Sequence, residues 1–425
     1  MGHRQILAAL VLALALAPLA PGATAQVAVR GGVIHTMAGP PIEDGVVLLR
    51  DGKIAKIGPR DAVQIPAGFE VLEAAVVTPG LVDARSVVGV AGYYNQKKGD
   101  QEQHEDSAAV QPELRALDAY NPREALVHWV RGFGVTTVQT GHAPRELVPG
   151  QLFIVKTRST TADDAAVRPF SAVAATLSNA AKRSDKSSPG TRAKMMSMLR
   201  SKLIEAQEYA AAREAADADS PPARDLALEA MCAVLDGDVP MIVTAHRAQD
   251  IASALRLARE FRFRLVLDGA SEAYLLLDEL AAARIPVILH PTMKRASGDA
   301  ENLSFETAAR LSEAGIPFAI KSGYESYVPK TRVILFEAAV AASHGLGFEG
   351  ALRSVTIDAA RILGVEDRVG SLEVGKDGDL ALYDGDPFEY TTHCVGTVIE
   401  GAVVSRFERG QPVSGPYNPY QKRGR

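Results

Sequence analysis

The chain has 425 residues, 47% apolar and 23% charged, a balance that describes a globular protein with a sizeable core rather than a disordered polymer. Its formal net charge of −5 speaks against the basic patch or stripe of a nucleic-acid binder, so nucleic acid is not an expected partner. The only cysteines, Cys232 and Cys394, lie far apart, give no disulfide framework and read as two buried thiols.

Residues 1–25 have the features of an export signal. Arg4 supplies a basic start, and Ile6 to Ala20 is an apolar run too short for a comfortable membrane span. Ala23-Thr24-Ala25 offers a small-residue cleavage site. The mature chain would begin near Gln26, periplasmic or secreted. No cysteine follows the cleavage site to carry a lipid, and no later apolar run is long enough to span a bilayer.

From Gln26 to Val77 the sequence reads as short strands with turns, and Asp51-Gly52 between two apolar runs is a strong hairpin signal. The same style returns from Gly370 to Arg406, with Leu380-Ala-Leu-Tyr and the run Val395 to Val404. Two strand-rich ends would most economically share one small β-sandwich domain, residues 26–78 with 364–415, leaving 416–425 as a C-terminal tail. Between them strand signals lie at Val135 to Thr140, Leu152 to Val155, Met241 to Ala245, Leu265 to Leu267, Pro286 to Leu289 and Pro317 to Ile320. Helical stretches follow most of them: Ala248 to Phe261, Glu272 to Ala283, Phe305 to Ala314 and Thr331 to His344. Repeated strand–helix units predict parallel strands, and eight of them close a TIM-like (β/α)8 barrel over residues 79–363. A doubly wound open sheet is the alternative, disfavoured because no glycine-rich phosphate loop opens a helix.

Val77-Thr-Pro-Gly-Leu-Val-Asp83 resembles the run that ends the first barrel strand of the amidohydrolase superfamily, and Gly134-Val-Thr-Thr-Val138 resembles its second strand. Thr356 to Gly364 followed by Gly370 to Leu380 is similar to that superfamily's return into its sheet domain. The resemblance covers nearly the whole mature chain and is closest to the imidazolonepropionase-like branch. It implies a barrel with one or two divalent metals at the carboxyl ends of its strands, activating a water against a C–N bond.

The same resemblance locates the expected ligands, and most are absent. The first strand's His-x-His positions hold Arg85 and Val87, neither of which can ligate. The fourth-strand stretch Phe170 to Ala181 has no lysine or glutamate, with Asn179 the nearest polar residue. The eighth strand places Gly323 where a carboxylate is expected, with Glu325 as a neighbour that could reach back in a catalytic role. The fifth strand keeps His246, and the sixth reads Asp268-Gly269 in place of His-Gly. His142 and His290 stand where strands two and seven should end. With His246 and Asp268 they could form a relocated site for one divalent metal, zinc first among candidates, with Asp268 also catalytic.

A metal-free reading uses the same face differently. Arg85, Lys156, Arg158, Arg247 and Lys321 lie near expected strand ends, and a ring of cations there suits a carboxylate or phosphate. Of these, Arg85, Arg247 and Lys321, with Tyr324, are the candidate substrate-binding residues. Alternatively, some charges fill the space a metal vacated, for example as an Arg85 to Asp268 pair. The loop from Gly89 to Asn121, with Tyr93 to Lys98 inside it, is placed to shape the pocket or act as a lid, and its His104 is too weak a signal for a ligand. Two functions therefore stand. One is a hydrolase of non-peptide amide or cyclic amide C–N bonds with an atypical or reduced metal site. The other is a catalytically silent barrel that binds a small anionic ligand or a partner protein. A homo-oligomer is left open.

Overall fold

The computed structural model describes residues 26–92, 101–183, 188–216, 222–292, 296–324 and 334–407. Residues 1–25, expected to be an export signal, the Tyr93 to Lys98 stretch, Glu325 and the 416–425 tail lie outside them. Along the chain β1 (Val27–Ile34), β2 (Ile42–Arg50), β3 (Lys53–Pro59) and β4 (Glu70–Pro79) come first. Then follow β5 (Leu81–Ser86), β6 (Val135–Gly141), β7 (Gly150–Lys156), β8 (Ala166–Thr176), β9 (Met241–Ala245), β10 (Leu265–Gly269), β11 (Val287–Leu289) and β12 (Phe318–Ile320). The last are β13 (Leu380–Tyr383), β14 (Cys394–Ile399) and β15 (Ala402–Arg406).

Both chain ends build one sheet, in the order β15-β14-β13-β4-β1-β2-β3. Asp51 and Gly52 turn β2 into β3 with φ of 52° and 80°, the pair of positive values that a tight two-residue hairpin needs. The sheet curls until its far ends meet, where Gly378 N–H donates to Gly52 O at 2.8 Å and Gly401 N–H to Gly378 O at 3.0 Å. Val29, Ile34, Val47, Leu49, Val77, Leu380 and Val398 fill the inside of the curl.

The second sheet, ordered β5 to β12, is the nearly closed barrel. Side chains alternate along each strand, so Val82, Ala84, Ile154, Ala174, Ile242, Val266, Ile288 and Ala319 fill the interior while the opposite faces pack against helices. The helix Ile357–Leu363 seals the floor of this interior with Ala359, Ala360 and Leu363. No ladder joins β12 to β5 among the described residues. Instead Asp83 accepts hydrogen bonds from Ser322 N–H, at 3.2 Å, and from Ser322 Oγ, which ties the seam.

One expectation is corrected. β7 runs antiparallel to both β6 and β8, whereas strand–helix units predict parallel strands throughout. Only residues 142–149 separate β6 from β7, and a parallel return needs a crossover of roughly a dozen residues or more. The reversal carries Lys156 to the floor, where it is buried with Asp377 at 3.0 Å and Asp379 at 2.5 Å. Arg158 follows it and pairs with Glu400 of the sheet domain at 3.4 Å. Neither cation belongs to the mouth of the barrel.

Removing Lys156 leaves two buried carboxylates facing each other, although Lys53 and Arg368 still reach Asp377. Lys156→Met is expected to cost roughly 3–5 kcal/mol in denaturant unfolding. A loss below about 1 kcal/mol would mean that the floor network carries little.

Candidate functional site

The carboxyl ends of the barrel strands carry a polar layer directly above the apolar interior. On β9 and β10 the inward alternation that buries Ile242 and Val266 continues to Thr244 and Asp268, which sit side by side in register. Thr176 is the register neighbour of Thr244 on β8. Beyond β12 the same alternation turns Lys321 inward. Thr244 Oγ donates to Asp268 Oδ2 at 2.6 Å, and the Lys321 ammonium is ion-paired to Oδ1. Asp268 has no exposed surface, and Lys321 and Arg85 are 4% and 3% exposed.

Arg85 joins this cluster from β5. Its guanidinium donates to Ser86 O at 2.8 Å and to His142 O, while its Nε–H finds no acceptor among the described residues. Burial pulls the Arg85 pKa down, opposed by the fields of Asp268 and Asp83. Burial also pulls Lys321 down, with Arg85 adding to the shift and Asp268 opposing it. Burial alone would push Asp268 up, but Lys321 and Arg85 outweigh it and hold the carboxyl below its ordinary value. Asp83 goes the other way: desolvation raises it to about 6 despite the Ser322 hydrogen bonds. His142, desolvated and beside Arg85, falls to about 4 and is neutral near pH 7.

The other expected site residues are dispersed around this core. His246 exchanges a 2.8 Å hydrogen bond with Ser271 Oγ through Nδ1, and its ring lies where a Cβ on Gly269 would stand. The His290 ring fills the corresponding space at Gly323, and its Nε2 is 3.6 Å from Glu337, which accepts from Thr292 N–H and Oγ at 2.5 Å. Arg247 belongs to a surface network with Asp299 at 3.2 Å and Glu301 at 3.1 Å. Tyr324 OH lies 2.7 Å from His104 Nε2, which joins the strand-eight end to the loop after β5. That loop lies along the β6–β7 hairpin through Ala143 N–H to Gln103 O and Gln111 N–H to Val148 O. A cavity of about 30 Å³ remains between His104, Glu105, Ala143 and Arg145.

The structure thus gathers Arg85, Asp268 and Lys321 and leaves His142, His246 and His290 apart, each with a setting of its own. Among the described residues no group of three or more His, Cys, Asp or Glu is arranged to hold a metal ion. Of the positions where the resemblance expects metal ligands, His246 is kept and the others described do not fit one here. Arg85 and Val87 cannot ligate, Asp268 is already met by an ammonium and a hydroxyl, and the space beside Gly323 is filled by an imidazole. Thr244 and Thr176 were legible in principle from the alternation of β8 and β9. Asp83 with Ser322 had no local signal, because their pairing spans the barrel seam.

The Asp83 value sets a pH dependence. Its folded pKa, about 6, exceeds the unfolded 3.8, so its stabilising contribution is complete below 3.8 and lost as pH rises through about 6. Asp83→Asn keeps an acceptor for Ser322 and removes that loss. In denaturant unfolding the variant should gain about 1–1.5 kcal/mol relative to wild type on going from about pH 5 to about pH 7.5. The lowered His142 and His104 titrate in the opposite sense in both proteins and cancel in the comparison. A pH-independent difference would contradict the buried ionisation.

Comparison with known proteins agrees with this architecture. A family model described as "Amidohydrolase family" matches residues 331–405. Amidohydrolase tasK of Hapsidospora irregularis is 24% identical over 423 residues, covering 90% of this chain and 41% of that protein. An imidazolonepropionase of Symbiobacterium thermophilum is 32% identical over 106 residues, 25% of each chain. The chain therefore spans less than half the length of these curated relatives. Among solved structures, an amidohydrolase from Thermotoga maritima MSB8 has a TM-score of 0.84 at 29% identity, covering 90% of this chain and 100% of that one. A zinc-bound adenosine deaminase from Xanthomonas campestris has a TM-score of 0.53 at 18% identity over 89% of this chain and 92% of its own, a likeness of fold alone. With a barrel of this build, a sheet domain shared by both chain ends and a full-length structural relative, the chain belongs to the amidohydrolase superfamily.

Proposed function

We propose that the mouth of this barrel binds a small anionic ligand, a carboxylate or a phosphate, without a metal-activated water. The observation that carries this reading is the setting of Arg85. A buried guanidinium normally bonds a carboxylate, because an unpaired charge out of water is costly. Here the nearest carboxylates are spoken for: Asp268 by Lys321 and Thr244, Asp83 by Ser322 and by the Arg85 backbone N–H at 3.4 Å. Two backbone carbonyls are the acceptors of Arg85 among the described residues, and its Nε–H has none. An anion oxygen on that Nε–H would complete the group with a charge-assisted bond. The Lys321–Asp268 pair would keep the cluster fixed while Arg85 orients the ligand, and neutral His142 adds no competing charge.

Superfamily membership supports a second reading, a hydrolase acting on non-peptide amide or cyclic amide C–N bonds at the same mouth. Two fold neighbours are named an adenosine deaminase and a molinate hydrolase, and His246 stands on this face. Export to the periplasm or beyond is part of the proposal and rests on residues 1–25 alone. No helix among the described residues is long and apolar enough to cross a membrane.

Titration with inorganic phosphate and with acetate, followed by unfolding temperature, tests the binding reading. A saturable rise is expected, equivalent to about 2.7 kcal/mol at a hundredfold excess over Kd, and it should vanish in Arg85→Met. An equal rise in the variant, or none in wild type, would contradict the Arg85 site. Turnover of cyclic ureides or simple amides that is lost in His246→Ala would favour the hydrolase.

A further inference from the structure

We infer that Lys321 is the resident cation of this barrel: its ammonium holds the place beside Asp268 that an exogenous cation would take, and deleting it opens that place to a small external cation. The inference rests on the metal-free reading of the mouth and extends it to the origin of the central positive charge.

The fold brings the pair together across one intervening strand. Asp268 on β10 is in register with Ile288 on β11, which is in register with Ala319 on β12. Lys321, two residues further along, points inward one layer higher, and its flexible four-carbon stem carries the ammonium back across β11 to Asp268 Oδ1. Thr244 donates to the other oxygen, so the carboxylate is met on both sides by protein groups. Asp83 and Arg85 are the remaining charged groups that act on Lys321, one attracting and one repelling it. Arg85 cannot simply replace the lysine, because its guanidinium nitrogens are directed at the Ser86 and His142 carbonyls.

A second, independent feature closes the position where the superfamily's eighth-strand carboxylate is expected. A Cβ at Gly323 would stand 2.3 Å from Cε1 and Nε2 of His290 and 2.6 Å from its Cδ2, at a φ of +76° that side chains rarely adopt. Supplying the cation from within and filling the ligand position are two halves of one rearrangement. Either change alone would weaken a metal site, and together they make a metal unnecessary to the cluster.

The experiment compares wild type, Lys321→Ala and Lys321→Met in thermal unfolding, with methylammonium chloride or sodium chloride at equal ionic strength. Both variants should lose stability. Methylammonium should restore at least half of the lost midpoint to Lys321→Ala, which has room for it, and nothing to Lys321→Met or wild type. Variants as stable as wild type, or rescue no better with methylammonium than with sodium, would overturn the inference. If neither single variant folds, adding Asp268→Asn to Lys321→Met should recover folding, and failure to do so counts against a charge-pairing role. A wild-type midpoint lowered by a chelator and restored by zinc would instead overturn the metal-free reading beneath it.

Discussion

A carboxylate with no exposed surface needs a cation, and in this barrel the choice of cation for Asp268 organises everything around it. The Lys321 ammonium fixes the end of β12 against β10, Thr244 fixes β9, and Arg85 is held at the edge of the same field by the carbonyls of Ser86 and His142. Replacing such a pair with apolar residues is often neutral for stability, so the pair is better understood as a device that specifies one arrangement of the mouth. Its neighbour Asp83, deprived of a direct cation and tied to Ser322, is left with a raised pKa, the reverse of Asp268. Two carboxylates a few residues from the same strand ends thus carry opposite shifts, set by which one received the ammonium.

The floor of the barrel repeats the logic with different strands. Because β7 is reversed, its last residue points away from the mouth, and Lys156 meets Asp377 and Asp379 on the segment that leads into the sheet domain. The sheet domain is therefore held to the barrel by a buried ionic contact as well as by apolar packing. The two lysines divide the barrel between them, one at each end, and only the upper one faces the functional mouth.

Much of this was readable from the sequence, and the failures have identifiable causes. The helix Ala248–Phe261 follows its apolar stripe of Ile251, Ala254, Leu255 and Ala258, a periodicity that needs no tertiary information. The Asp51-Gly52 turn and the two-ended sheet domain follow from local turn chemistry and strand alternation. The direction of β7 was missed because a strand's side-chain pattern is the same in either direction. The short connection of residues 142–149 held the information instead. At the site, the sequence placed Arg85 and Asp268 near the same strand ends, and the structure sets them within each other's field without a direct ion pair, Asp268 being paired with Lys321 instead. The partnership of Asp268 with Lys321, and that of Asp83 with Ser322, joins residues from separate strands and leaves no mark on either local sequence. The relocated site of His142, His246, His290 and Asp268 rested on all four falling near strand ends, and among the described residues no group of three or more such side chains is arranged to hold a metal ion. In three dimensions each imidazole has its own packing against a glycine or a neighbouring polar group.

The barrel carries a buried lysine–aspartate pair at its mouth, and fold alone does not fix what the mouth does. The most direct test is the metal content of the protein, purified without chelator or affinity metal and measured by plasma mass spectrometry. Zinc, manganese and iron are expected far below one per chain, unchanged in His246→Ala. Near-stoichiometric metal in wild type that disappears in His246→Ala would contradict this expectation, and would show that a metal, rather than Lys321, supplies the cation of this barrel.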